Sequence, residues 1–252
     1  MQRRHRLNRI VSAVVERGRV DVPSLATEFS VSPATIRRDL EALQQQRLVC
    51  RTHGGAMIHA AFNDLPLSYK KAQDLPEKQR ISRQAVRFLD GARVIGTTGG
   101  TTVSQFIGLL RDRDDLTVVT NALNVAIDLA GSPGLRVFVA GGEVRGSSQE
   151  SVGHSAEAFL AEYNIDVAFL GVDAVDAVAG CTNYDPAGAR VNAVLCRRAR
   201  KRIVLADATK IGRVTLAQVC RMAEVDVLIT DSRAAEAELE PLRRQGCQVV
   251  RA

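Results

Sequence analysis

Ser32-Pro33-Ala34-Thr35-Ile36-Arg37-Arg38-Asp39-Leu40 sets a hydroxyl, a proline and two adjacent arginines in the order a DNA-reading helix needs. The serine hydroxyl can accept from the free amides of a first helical turn, and proline at the first helical position forfeits no hydrogen bond. Ile36, Leu40 and Leu43 fall on one face at helical spacing. Ala34, Arg38 and Gln45 fall on the other, flanked by Arg37 and Thr35. A small residue and two guanidinium groups near a helix N-terminus suit close approach to phosphates and base edges in the major groove. Taken alone, an apolar-periodic helix with two arginines is more often an ordinary solvated surface helix.

A second set of candidates lies where short apolar runs end. Val94-Ile95 is followed by Gly96-Thr97-Thr98-Gly99-Gly100-Thr101-Thr102 and then by a helical pattern. Glycines let backbone amides approach a ligand, threonine hydroxyls add donors, and a helix N-terminus favours an anion. Thr98, Gly99, Gly100, Thr101 and Thr102 therefore form a candidate phosphate seat. A strand-to-helix turn of small residues has the same composition, and the stretch is neither a Walker loop nor GxGxxG. Other runs end in Thr120-Asn121, Gly141-Gly142-Glu143, Gly171-Val172-Asp173, Asp207-Ala208-Thr209-Lys210 and Thr230-Asp231. Asn121, Gly141, Gly142, Asp173, Asp207 and Lys210 join the candidates on that ground, each also readable as loop or cap chemistry. Asp173, Asp207 and Lys210 offer acid–base groups, but the crevice reads as poor in acids near Thr98 and Gly188, where proton transfer would want them.

The elements that must position the first set surround it. Residues 4–17 carry Leu7, Ile10, Val11 and Val14 at helical spacing and end at Gly18. Asp21 is placed to cap a shorter helix, Val22–Phe29, and Ser30-Val31-Ser32 has the length of a helix-turn-helix connection. Residues 48–52 predict a strand, Gly54-Gly55 a turn and Ala56-Met57-Ile58 the returning strand, with Arg51 and His53 on this wing, within reach of a DNA backbone. Three helices and a hairpin in this order predict a winged helix, and the ordered set favours DNA contact over a bland surface helix.

Periodicity lapses between about Ala60 and Glu77, which predicts a linker. A helix is expected at 77–89. Beyond it, β-branched runs at 94–95, 116–119, 135–139, 167–170, 203–205, 225–229 and 248–250 alternate with helical stretches at 102–110, 122–130, 155–163, 187–200 and 233–245. The alternation predicts a mainly parallel sheet with helices on both faces and ligands at the C-terminal ends of its strands.

Charge is placed unevenly. The 252 residues carry a formal net charge of +6. Residues 1–60 hold ten Lys or Arg against five Asp or Glu, so nearly all the excess lies in the expected DNA-binding segment, as phosphate attraction requires. The five cysteines (Cys50, Cys181, Cys196, Cys220, Cys247) are scattered, with no CxxC pair, and the four histidines show no metal-ligand spacing. Buried reduced thiols are expected, with no metal. No apolar run reaches membrane-span length and the basic N-terminus lacks an apolar leader core, which predicts a cytoplasmic protein.

Val22-Pro23-Ser24-Leu25-Ala26, Val31-Ser32-Pro33-Ala34-Thr35-Ile36-Arg37-Arg38-Asp39-Leu40 and Arg51-Thr52-His53-Gly54-Gly55-Ala56 closely resemble the N-terminal signature of the DeoR family of bacterial transcriptional regulators. The strand-end loops are similar to that family's sensor half, whose fold resembles ribose-5-phosphate isomerase and glucosamine-6-phosphate deaminase. The resemblance implies a DNA-binding repressor with a C-terminal sugar-phosphate sensor. By position it places Gly99, Gly100, Thr101, Thr102, Asn121, Gly141, Gly142, Asp207 and Lys210 in the family's effector crevice. The chain departs from the family at three points. Thr98 stands where an aspartate is usual, and Gly188 and Asn192 stand where a Glu and a Lys are frequent. These departures imply an altered effector affinity or specificity.

The expected architecture is α/β, with a winged helix-turn-helix DNA-binding domain at 1–60, a linker at 61–76, and a mainly parallel α/β effector-sensing and oligomerisation domain at 77–252. DNA contacts are expected from Ser32, Ala34, Thr35, Arg37, Arg38, Gln45, Arg51 and His53. The expected partners are a double-stranded DNA operator, a phosphorylated sugar or related small anion, and further copies of the chain in a homo-dimer or homo-tetramer. No cofactor and no membrane partner is expected. The expected function is effector-controlled, sequence-specific transcription regulation, with repression as its sign, rather than catalysis. The alternative is a sugar-phosphate isomerase or deaminase carrying a DNA-binding module.

Overall fold

Three helices open the chain: α1 (Arg3–Arg17), α2 (Val22–Phe29) and α3 (Pro33–Gln45). They belong to a computed structural model that describes residues 3–46, 48–58, 67–71 and 73–252. Gly18, at φ +70°, ends α1, and the short strand β1 (Arg19–Asp21) follows. Asp21 then accepts from the Ser24 amide at 2.8 Å and starts α2. Ser30 takes a left-handed conformation and returns its amide to α2, which closes the turn. The Thr35 amide donates to the Ser32 hydroxyl at 3.2 Å, with Pro33 in the first turn of α3. Strands β2 (Val49–Thr52) and β3 (Gly55–Ile58) form the wing. β3 pairs with both β2 and β1, so the wing is a three-stranded antiparallel sheet. The sequence reading missed β1, because three residues are too few to show alternation.

Ile10, Val14, Leu25, Phe29, Ile36, Leu40 and Leu43 fill one core. A short helix, α4 (Leu67–Lys70), follows within the expected linker, and the Tyr69 hydroxyl donates to Gln46 at 2.7 Å. Residues 61–66 and Ala72 of that linker lie outside the described residues.

Contacts divide the chain into two compact units, Met1–Ala72 and Gln73–Ala252. The second unit begins with α5 (Leu75–Ala85), two residues ahead of the expected start, because Pro76 fits the first helical turn. Its expected last turn tightens into a 3-10 helix at Val86–Leu89. Then come β4 (Val94–Thr97), α6 (Thr101–Gly108), β5 (Thr117–Thr120), α7 (Leu123–Leu129) and β6 (Arg136–Val139). The chain continues through β7 (Glu143–Arg145), β8 (Glu150–Val152), α8 (His154–Ala161), β9 (Ile165–Leu170), β10 (Ala174–Asp176) and β11 (Gly180–Asn183). It closes with α9 (Pro186–Arg198), β12 (Ala199–Leu205), β13 (Ala217–Cys220), β14 (Val227–Thr230), α10 (Glu236–Arg244) and β15 (Gln248–Arg251). The helix expected at 187–200 yields its last two residues to β12.

Seven strands form one sheet in the order β15-β14-β12-β9-β4-β5-β6, and every pairing in it is parallel. Helices cover both faces over two apolar cores. One contains Leu170, Leu195, Val204 and Leu228. The other contains Ile95, Phe106, Phe169 and Ile203, with Phe106 and Phe169 centroids 4.2 Å apart. From β4 the chain builds outward through β5 and β6, then returns to β4's other side with β9, β12, β14 and β15. The order of strand addition therefore reverses between β4 and β9, and parallel α/β sheets form a ligand crevice beyond such strand ends. The expected fold class is present.

The cysteines carry no disulfide, and four of the five are buried. A thiol contact with Cys220 and burial push Cys196 far up, and burial pushes Cys247 up to about 12. Both shifts favour the thiol over the nucleophilic thiolate at Cys196 and Cys247.

Candidate DNA interface and effector crevice

The reader unit turns one face of α3 inward and one outward. Ile36, Asp39, Leu40 and Leu43 are buried. Ser32, Ala34, Arg37, Arg38 and Gln45 are exposed, and Thr35 is half-buried. Arg51 and His53 are exposed on the wing. Gln44, which sequence reasoning passed over, joins Arg51, Thr52, His53 and Gly54 in lining a hollow of about 490 Å³. Recognition helix and wing thus present one continuous polar surface. The wing turn is fixed from behind, since the Val22 amide donates to the Gly54 carbonyl at 2.8 Å.

Asp39 lies within the arginine motif yet does not face outward. It is 1 % exposed and accepts from Arg6 Nε at 2.6 Å. Arg3 adds a longer contact at 3.5 Å. The pair bolts α1 to α3. Periodicity could have signalled it, because position 39 sits between Ile36 and Leu40 on the inward side.

In the second unit, the β4 and β9 ends meet through Thr98. Its hydroxyl accepts from the Gly171 amide at 2.8 Å, and its own amide reaches the Phe169 carbonyl at 3.4 Å. Thr98 is fully buried, so it acts as a seam between strands. Gly99 donates its amide to Glu150 Oε1 at 2.8 Å. Thr101 and Thr102 open α6, whose N-terminus has no side-chain cap.

Glu150 corrects the expectation of a crevice poor in acids. Sequence reasoning missed it because β7 and β8 are three residues each and carry no alternation. Its side chain is 8 % exposed. Burial raises the carboxyl above its ordinary range, and the Gly99 amide only partly offsets this. Nearby Asp173 pushes in the same direction, and Arg145 opposes it.

Asn121 is buried beside Glu150. Its Nδ2 donates to the Ser151 carbonyl at 3.2 Å, while its Oδ1 finds no hydrogen-bond partner. Gly141 and Gly142 stand on the exposed connection into β7. Gly142, at φ +145°, is required by close packing, because a Cβ there would meet the Val152 carbonyl at 2.9 Å. Asp173 accepts from the Tyr184 amide at 3.2 Å, and its own amide donates to Asn183 Oδ1 at 3.1 Å. Lys210 Nζ donates to the Val172 carbonyl at 2.6 Å, one residue beyond the Thr98 seam. Asp207 caps the turn at Ala208–Lys210 by accepting from the Thr209 amide at 3.1 Å.

Asp231 accepts from the Ala208 amide at 2.8 Å and from Arg233 Nε at 2.7 Å. Burial opposes its charge, but Arg233 and the two amides prevail and hold the carboxyl below the usual range. Gly188 and Asn192, the two remaining departures, both lie on α9. The Gly188 amide is engaged by Asp185 at 2.6 Å, and Asn192 is buried with Oδ1 unpartnered. The strand-end residues thus gather at the sheet's reversal point, with Thr98, Gly99, Asn121 and Glu150 on one side and Lys210 on the other.

The DeoR-like helix-turn-helix domain matches residues 6–61, and the DeoR C terminal sensor domain matches residues 73–232. The glycerol-3-phosphate regulon repressor of Escherichia coli (strain K12) is 31% identical over 232 residues, covering 92% of this chain and 92% of that protein. The HTH-type transcriptional regulator GlpR of Haloferax volcanii is 32% identical over 246 residues, covering 97% and 96%. Among solved structures, ribose 5-phosphate isomerase A from Methanocaldococcus jannaschii matches with a TM-score of 0.40 at 19% identity, over 53% of this chain and 52% of that one. Among the described residues, no helix is long and apolar enough to cross a membrane. With a reader profile and a sensor profile matched in sequence, and relatives aligned over nearly its whole length, this chain belongs to the DeoR family of DNA-binding transcriptional regulators.

Proposed function

We propose that this regulator is a cytoplasmic repressor that seats residues 32–45 in the major groove and releases its operator when a phosphorylated sugar or related anion fills the strand-end crevice. The observation that carries the DNA half is the split character of α3, with Ile36, Asp39, Leu40 and Leu43 buried and both arginines exposed. Arg37 and Arg38 contact phosphates or base edges, Ala34 and Thr35 allow close approach, Ser32 and Gln45 flank them, and Arg51 and His53 touch the backbone from the wing. One reader of this size gives limited specificity, so two or more copies act on repeated half-sites. The effector half rests on Thr98 to Thr102, Asn121, Asp173, Asp207 and Lys210 around the sheet's reversal point, with Gly141 and Gly142 in the adjoining connection.

The test is a gel-shift titration of the full chain at fixed salt. Arg38→Ala is expected to weaken a specific site by about 1–3 kcal/mol if Arg38 reads a guanine, and all duplexes alike if it touches only phosphate. Unchanged binding removes Arg38 from the interface. Purified protein is expected to bind sugar phosphates without turning them over.

A further inference from the structure

Thr98 spends its hydroxyl on the Gly171 amide, and a carboxyl bonded to the glycine-rich loop arrives from β8. Glu150 is not a surface acid that happens to lie nearby. Its strand is stitched to the end of β5 by two backbone bonds, Ser151 amide to Asn121 carbonyl at 2.7 Å and Leu123 amide to Gln149 carbonyl at 2.9 Å. The Asn121 side chain adds a third. The backbone therefore fixes where the carboxyl points. Gly99 supplies the space, since a Cβ there would lie 2.8 Å from both Cγ and Cδ of Glu150.

Two buried acceptors result at the strand ends, beside the glycine-rich loop. One is the Glu150 carboxyl, held by Gly99. The other is Asn121 Oδ1, fully buried and unpartnered. A buried acceptor calls for a donor. A phosphate has none to give when fully ionised, and it would compete with Glu150 for the Gly99 amide. Hydroxyl and ammonium groups have donors. Lys210 lies on the opposite side, beyond the seam, with its ammonium at the Val172 carbonyl.

We infer that Glu150 is a specificity-determining residue of the effector crevice: with Asn121 Oδ1 it forms an acceptor wall that selects phosphorylated ligands carrying hydroxyl or amino donors over bare phosphate. The inference rests on the effector-binding reading above. It assigns the phosphate to the Lys210 side and the polyol or amino sugar to the β8 side.

Isothermal titration of the full-length protein with inorganic phosphate, fructose 6-phosphate and glucosamine 6-phosphate tests it. Glu150→Gln keeps the shape and one acceptor but removes the charge. Gly99→Ala leaves Glu150 in place chemically and pushes it off the loop. Circular dichroism checks that each variant is folded. In both, the preference for the sugar phosphates over inorganic phosphate is expected to shrink about tenfold or more, as it does when a site built to hydrogen-bond a ligand loses that match. Inorganic phosphate itself should bind the Glu150→Gln variant as well or better. A preference unchanged within about twofold in a folded variant overturns the role of Glu150 and leaves the effector reading standing. If the parent protein binds none of the three probes, the effector reading fails and this inference with it.

Discussion

Asp39 and Glu150 are both buried acids, but their surroundings give them opposite consequences. Asp39 has Arg6 at 2.6 Å, so removing either partner strands a charge. Asp39→Ala is expected to destabilise the reader unit by about 3–5 kcal/mol, measured by chemical denaturation, while Arg38→Ala leaves stability nearly unchanged. Glu150 faces the backbone amide of Gly99, and burial raises its carboxyl pKa. The folded chain then holds that proton to higher pH than the unfolded chain does. The associated stability is complete below the ordinary carboxylate range and is lost as pH rises through it toward the folded value. Glu150→Gln removes that loss, so its melting temperature relative to the parent should increase as pH rises above the ordinary carboxylate range. A difference independent of pH contradicts a raised carboxyl. Of these two residues, Asp39 was within reach of helical spacing, and Glu150 was not. No local pattern marks an acid whose partner lies 51 positions away.

The elements divide by side-chain type and burial in how plainly the sequence shows them. The inner strands of the parallel sheet are largely buried, the edge strands β6 and β15 less so, and all seven read as apolar, β-branched runs legible within a few residues. The antiparallel strands β7, β8, β10, β11 and β13 have three or four residues each, too few for a period of two to register. They carry or hold the side chains that refine the crevice. α3 was legible from its cap, and Ser32→Ala should cost about 1 kcal/mol of reader stability, read from the same denaturation curves. At the other unit's entrance, Arg233 reaches Asp74 at 2.8 Å and ties the first turn of α5 to the Asp231 loop. Along the same helix, Ser82 donates to the Thr102 carbonyl at 3.0 Å. Arg233→Gln is expected to speed amide exchange in residues 75–78 without altering that of β9, as followed by mass spectrometry.

Across the whole molecule, basic excess and ligand chemistry are kept in separate stretches of chain. Ten of the thirty-four Lys and Arg residues lie in the first sixty positions, against five acids. Binding to any duplex should therefore weaken as salt rises, with the logarithm of the association constant falling linearly against the logarithm of salt concentration. Arg38→Ala should lower that slope by about one if the side chain contacts phosphate. Fluorescence anisotropy over a salt series reads both quantities, and a flat response in the parent would falsify backbone contact.

The Thr98 bond to Gly171 has a mechanical consequence. In an open sheet, the gap at the point of reversal is where neighbouring strands can spread apart to admit a guest. Here the Thr98 hydroxyl adds a side-chain bond just beyond the backbone pairing of β4 with β9, so the tips of the two central strands are held together. A rearrangement that keeps this bond intact falls on the short hairpins and turns around the two strands rather than on the strands themselves.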